Sequence, residues 1–152
     1  FAVSVGMAMA AKMDGKKSRT YVLLGDGELQ EGLIWEAAMA AAHYKLDNLC
    51  AVVDWNGLQI DGKNDDVMTV KPIDEKFRAF GFNVLVIDGH NFEEIFAAFD
   101  AARECKGKPT VIVAKTNKGR GVSFMEDNPG WHGKAPSEDE AKQAVSELGG
   151  EW

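Results

Sequence analysis

Two short segments carry the residue types that a metal–diphosphate site needs. One is Gly25-Asp26-Gly27-Glu28, the other Asp54-Trp55-Asn56-Gly57-Leu58. Asp26 offers a carboxylate and Asn56 a side-chain amide oxygen. Both are hard donors of the kind that hold Mg²⁺ or Ca²⁺, and Mg²⁺ usually fills the rest of its octahedron with phosphate oxygens and water. Glycines on both sides of Asp26 let backbone N–H groups come close to a phosphate, and a helix beginning just beyond would aim its positive end at the same place. Gly-Asp-Gly and Asn-Gly are each turn signals when met alone. Their spacing says more: Asn56 follows Asp26 by 30 residues, about one strand–helix–strand unit. Residues so separated emerge at the same end of a sheet, on neighbouring or near-neighbouring strands. Competing nucleotide motifs are absent, since no G-x-G-x-x-G opens a helix and no G-x-x-x-x-G-K-[ST] occurs.

The elements that must position these segments alternate along the chain. Phe1 to Met13, rich in Ala and Met, reads as a helix buried on most of its sides, stopped by Asp14-Gly15. It has no N-cap and no turn before it, so the N-terminus reads as truncated. Tyr21 to Leu24 reads as a buried strand and Leu33 to Tyr44 as a helix. Leu49 to Asp54 is a second buried strand, Asp74 to Phe80 a short helix, and Asn83 to Ile87 a third strand. Asn91 to Cys105 is a helix whose Asn91 and Glu94 have capping-box spacing. Pro109 to Lys115 is a fourth strand. Residues 116–136 form a long Gly-rich loop, and Ser137, as N-cap, starts a polar helix that runs to Leu148. Strictly alternating strands and helices give an α/β fold, a parallel sheet with helices on both faces, whose ligands bind at the carboxyl ends of the strands. No repeat or linker divides the chain, so residues 1–152 read as a single, partial domain.

Composition narrows the class. The chain has 152 residues, 24 acidic against 17 basic, and a formal net charge of −7. That balance argues against a nucleic acid or an anionic membrane as the main partner. Cys50 and Cys105 are too few for a disulfide scaffold and lack metal spacing, so they read as packing residues in a reducing cytoplasm. No apolar run reaches the ~18 residues of a membrane span.

The string GDGELQEGLIWEAAMAAAHYKLDNL resembles transketolases, as do NGLQIDG, AKTNKGRGVSF and WHGKAP. Gly25-Asp26-Gly27 with Asn56 looks like the thiamine diphosphate motif. The resemblance covers nearly the whole chain, and corresponds to the latter part of the diphosphate-binding domain, or to the N-terminal subunit of split forms. It implies the thiamine diphosphate-binding fold, with Asp26 and Asn56 as metal ligands through their side chains and Leu58 as a ligand through its carbonyl. It implies that Gly27 gives a backbone N–H to the diphosphate, that Lys118 lies at the cofactor, and that His132 reaches both diphosphate and sugar as the catalytic histidine. Glu31 and Glu36 match glutamates at a dimer contact. The cofactors implied are thiamine diphosphate and Mg²⁺ (or Ca²⁺). The reaction implied is transfer of a two-carbon ketol unit between sugar phosphates, as in the pentose phosphate pathway. The implied partner is a pyrimidine-binding domain or C-terminal subunit, in a homodimer or heterotetramer. Read without the resemblance, Lys118 and Arg120 are solvated loop charges, and Glu31 and Glu36 are exposed or capping acids. Trp55 departs from the acidic or small polar residue common at its position. The alternatives are deoxyxylulose-phosphate synthase, a non-catalytic cofactor-binding fragment, or one subunit of a 2-oxo-acid dehydrogenase.

Overall fold

The chain alternates strand and helix as its pattern predicts. Helix α1 (Ala2–Met13) leads to β1 (Thr20–Gly25), a 3₁₀ turn (Gly27–Gln30), α2 (Gly32–His43) and β2 (Leu49–Trp55). A small hairpin, β3 (Leu58–Gln59) and β4 (Gly62–Lys63), precedes α3 (Asn64–Val67) and α4 (Ile73–Ala79). Then come β5 (Asn83–Asp88), α5 (Phe92–Glu104), β6 (Thr110–Lys115), a 3₁₀ turn (Pro129–Trp131) and α6 (Glu138–Glu147). The computed structural model describes residues 1–152. Internal contacts divide them into two compact units: Phe1–Trp55 with Val70–Thr116, and Asn56–Thr69 with Asn117–Trp152.

The first unit holds a four-stranded parallel sheet in the order β1-β2-β6-β5. Helices α1, α2 and α4 pack one face, where Val5, Ala38, Ile73 and Phe77 meet Leu24, Val53, Val111 and Val113. Helix α5 packs the other, where Ala98 and Ala102 meet Cys50 and Ile112. The central strands β2 and β6 are therefore covered on both sides, which is why they read as unbroken apolar runs. Phe77 anchors the larger face, with ring centroids 5.2 Å from Trp35 and 5.3 Å from Phe82.

Two expectations are corrected. The 21–24 run is not a buried strand: β1 is an edge strand with Leu23 72% exposed, although Tyr21 leans edge-on against Phe99. The opening helix is not buried on most of its sides. Only its Val5 and Ala8 are buried, while Val3, Met7 and Met13 stand exposed. Asn91 does cap α5, accepting the N–H groups of Glu93 and Glu94. Glu94 returns to the Asn91 side-chain amide at 3.1 Å and to the Asp88 N–H at 2.8 Å, in place of the Asn91 backbone N–H.

In the second unit, the segment after β6 is organised by its own backbone. The Asp127 N–H donates to the Lys118 carbonyl at 3.0 Å, and the Val122 N–H to that of Gly119 at 3.1 Å. Trp131 donates its indole N–H to the Phe124 carbonyl at 2.9 Å. Helix α6 opens with a reciprocal capping box between Ser137 and Glu140. The Ser137 backbone N–H, and then Lys134, hold the Glu140 carboxyl below the usual carboxylate range. Glu147 accepts both the N–H and the hydroxyl of Ser123, tying α6 to the loop. No helix of the chain is long and apolar enough to cross a membrane.

Candidate functional site

In the first unit the carboxyl ends of the strands are knitted together. Asp26, one residue past β1, is only 1% exposed. Its backbone N–H extends the β1–β2 ladder to the Asp54 carbonyl at 3.2 Å. Its Oδ1 accepts the Gly27 N–H at 2.8 Å, so it caps the following 3₁₀ turn. The Glu28 carboxylate takes the Gly25 N–H at 3.2 Å. At the end of β2, Trp55 stands in register with Lys115, whose ammonium lies 5.4 Å from the indole centroid. That is within cation–π range. The Thr116 hydroxyl donates to the Asp54 carboxylate. Gly89, after β5, donates its N–H to the Lys115 carbonyl at 2.7 Å. A Cβ on Gly89 would lie 2.5 Å from the Thr116 methyl, so the close approach requires glycine. Sequence reasoning named Asp54 only as part of the second segment, and missed Thr116 and Gly89. The one available signal was Asp88-Gly89-His90 directly after a strand.

In the second unit Asn56 and Leu58 belong to one turn. Asn56 Oδ1 accepts the Leu58 N–H at 3.0 Å, an Asx turn. The Asn64 N–H donates to the Gly57 carbonyl at 2.9 Å. Leu58 is buried and pairs with Lys63 across the hairpin. Lys118 is half-buried in the loop after β6. His132 is exposed at the end of the 3₁₀ turn and donates its N–H to the Pro129 carbonyl at 2.9 Å. Beside it, Lys134 sits 4.1 Å from the Trp131 centroid and 3.0 Å from Glu140.

Of the expected site residues, the structure brings Asp26 together with Gly27, and Asn56 together with Leu58. Lys118 and His132 share the 117–152 portion of the second unit. Glu31 and Glu36 are exposed, at the start of α2 and along it. The candidate ligands are all oxygen: one carboxylate, one amide, one backbone carbonyl. That set suits Mg²⁺ or Ca²⁺ and gives a soft metal no sulfur or imidazole. No group of three or more His, Cys, Asp or Glu side chains gathers to hold an ion by itself. An ion on these residues therefore draws its remaining ligands from elsewhere, as Mg²⁺ does from phosphate and water.

A family model described as the thiamine diphosphate binding domain of transketolase matches residues 3–152. The chain belongs to that family. Among its transketolase relatives, an apulose-4-phosphate transketolase subunit of Actinobacillus succinogenes is 46% identical over 146 residues, 96% of this chain and 52% of that protein. A 6-deoxy-6-sulfo-D-fructose transketolase subunit of a Clostridium species is 45% identical over 148 residues, covering 97% of this chain and 54% of that one. Among solved structures, transketolase from Campylobacter jejuni superposes with a TM-score of 0.92 at 36% identity, over 99% of this chain and 24% of that chain. The chain thus spans about half the length of the transketolase subunits it matches and about a quarter of the solved transketolase. The thiamine diphosphate-binding fold expected from the sequence is the one found.

Proposed function

We propose that this chain supplies the metal–diphosphate half of a transketolase, which moves a two-carbon ketol unit between phosphorylated sugars in the cytoplasm. Family membership together with the strand register carries the reading. Gly25, the last residue of β1, lies opposite Asp54 on β2, so the Asp26 and Asn56 segments both begin where two neighbouring parallel strands end. Sheets of this class bind ligands at that edge. In this reading Asp26, Asn56 and the Leu58 carbonyl hold Mg²⁺ or Ca²⁺. The Gly27 N–H and Lys118 hold the diphosphate, and His132 serves diphosphate and sugar. Bound thiamine diphosphate supplies the group that carries the ketol unit between donor and acceptor. The chain's own residues would anchor and orient it: a buried carboxylate held by the Gly27 N–H would fix a metal and diphosphate more firmly than a solvated loop would. A pyrimidine-binding domain or subunit, the sugar-phosphate substrates, and assembly as a homodimer or heterotetramer complete the site.

Two of the relatives are named as subunits of transketolases, which supports a partner subunit over a self-sufficient chain. Ketol transfer from a sugar phosphate is the test. The expected outcome is no steady turnover by residues 1–152 alone, and turnover with thiamine diphosphate and Mg²⁺ once the partner half is restored. Turnover by the isolated chain, or an inactive restored assembly, overturns the proposal.

A further inference from the structure

We propose that Asn64 is a positioning residue of the Asn56–Leu58 loop, its buried side-chain amide supplying hydrogen bonds there when metal and diphosphate are bound. The inference rests on the reading above. Asn64 is 3% exposed, and neither its Oδ1 nor its Nδ2 has a hydrogen-bond partner. A buried amide with both atoms orphaned is costly and rare in native proteins. An apolar side chain of the same size would fill that space without the cost.

Its place just past the hairpin, at the start of α3, indicates what the amide is for. Gln59 pairs with Gly62 and Leu58 with Lys63. The next rung is the 2.9 Å bond from the Asn64 N–H to the Gly57 carbonyl. Asn64 therefore stands opposite Gly57, between the two proposed ligands Asn56 and Leu58. In that turn Asn56 Oδ1 already accepts the Leu58 N–H at 3.0 Å. An ion that draws on the same oxygen competes with that bond, and the Leu58 N–H then needs a second acceptor. Asn64 Oδ1 is an uncommitted acceptor at the first residue of α3, just past the facing strand β4, and its Nδ2 offers two donors to the loop's oxygens. Asn64 touches no reacting atom. It acts by holding a ligand-bearing turn in one geometry, the usual role of groups behind metal ligands.

The test uses the complete assembly of chain and partner half, with Asn64→Leu and, should that variant fold poorly, Asn64→Ser. Two quantities are read: the melting temperature without cofactor, and thiamine diphosphate affinity at saturating Mg²⁺ by calorimetry. Asn64→Leu is expected to melt no lower than wild type without cofactor, and to bind thiamine diphosphate about 10–100-fold more weakly, the range for groups that support metal ligands. A merely structural amide would move bound and free states alike and leave affinity unchanged. Unchanged affinity in a variant that folds overturns the inference, and so does a fall in the cofactor-free melting temperature of both Asn64→Leu and Asn64→Ser, which would mean the amide is already paired. If wild type fails to bind thiamine diphosphate, the proposed function itself falls. If wild type binds and Asp26→Ala does not, while Asn64→Leu binds normally, only this inference falls.

Discussion

Gly119 lies between Lys118 and Arg120, and replacing it with alanine tests whether that loop holds a defined shape. Its backbone is left-handed, with φ of 70°, and an added Cβ would lie 2.6 Å from the backbone carbonyl carbon and oxygen of Met125. Neither atom can swing aside as a side-chain tip could. A left-handed conformation costs a residue with a Cβ about 1–2 kcal/mol, and overpacking adds about 1–3 kcal/mol. The total is about 2–5 kcal/mol, taken up by the bonds from Val122 to the Gly119 carbonyl and from Asp127 to the Lys118 carbonyl. Even the lower figure raises the population of the opened loop about 30-fold, since 1.4 kcal/mol is tenfold. Proteolysis follows that population when opening is fast relative to cleavage. Gly133→Ala is the control, because that position has no left-handed φ and no atom within 4 Å of an added Cβ. Limited proteolysis should nick the 116–136 segment of Gly119→Ala far faster than that of Gly133→Ala. Equal resistance of the two variants would refute the reasoning.

Three further outcomes are expected. Asp26→Ala should remove metal-dependent thiamine diphosphate binding in the complete assembly, read by calorimetry, because the ion loses its one carboxylate. Thiamine diphosphate with Mg²⁺ should protect the 116–136 loop from proteolysis; cleavage at the same rate with and without cofactor would argue that the loop does not close on it. Cys50 is fully buried, and burial pushes its thiol up from 9.0 to about 11. The unfolded chain gives up that proton first, so stability should fall as pH rises from 9.0 to about 11. The full effect is about 3 kcal/mol at 1.36 kcal/mol per pH unit, and urea titrations in which Cys50→Ala keeps the same alkaline slope would contradict it.

The central strands were legible because β2 and β6 are covered on both faces and their composition says so. β1 was misread because apolar composition records strand propensity, while the place of a strand in the sheet order decides what covers it. α1 was misread likewise: an Ala- and Met-rich helix is apolar all round, but in this chain only the stripe with Val5 and Ala8 finds a partner. The hairpin β3–β4 has two residues per strand, too few for a period-2 pattern to register. Asn64 stood in a polar run, Lys63 to Asp66, where an asparagine reads as a turn residue. Nothing local marks it as the one that is buried. The Gly-Asp-Gly and Asn-Gly signals, by contrast, depend only on the few residues just past a strand end, so they survived to the folded chain unchanged.

Both proposed side-chain ligands share a feature that couples metal to diphosphate. Asp26 Oδ1 holds the Gly27 N–H at 2.8 Å, and Asn56 Oδ1 holds the Leu58 N–H at 3.0 Å. Each oxygen is thereby ordered by a neighbouring N–H, with which an ion would compete, and the entropic cost of ordering it has been met by folding. The Gly27 N–H, however, is the proposed diphosphate donor, and it is also the group that donates to the proposed ligand carboxylate. An ion that pulls electron density from that carboxylate weakens its hold on the N–H and frees the donor for phosphate. Diphosphate and metal should therefore bind with positive coupling, and linkage requires the effect to be reciprocal. Saturating Mg²⁺ should raise thiamine diphosphate affinity, and saturating thiamine diphosphate should raise Mg²⁺ affinity by the same factor, about 5–150-fold for couplings of this kind. Calorimetric titrations of the complete assembly in both orders measure the two factors. If thiamine diphosphate binds equally well with and without a divalent ion, the Gly27 donor is not gated by Asp26 and the coupling does not exist.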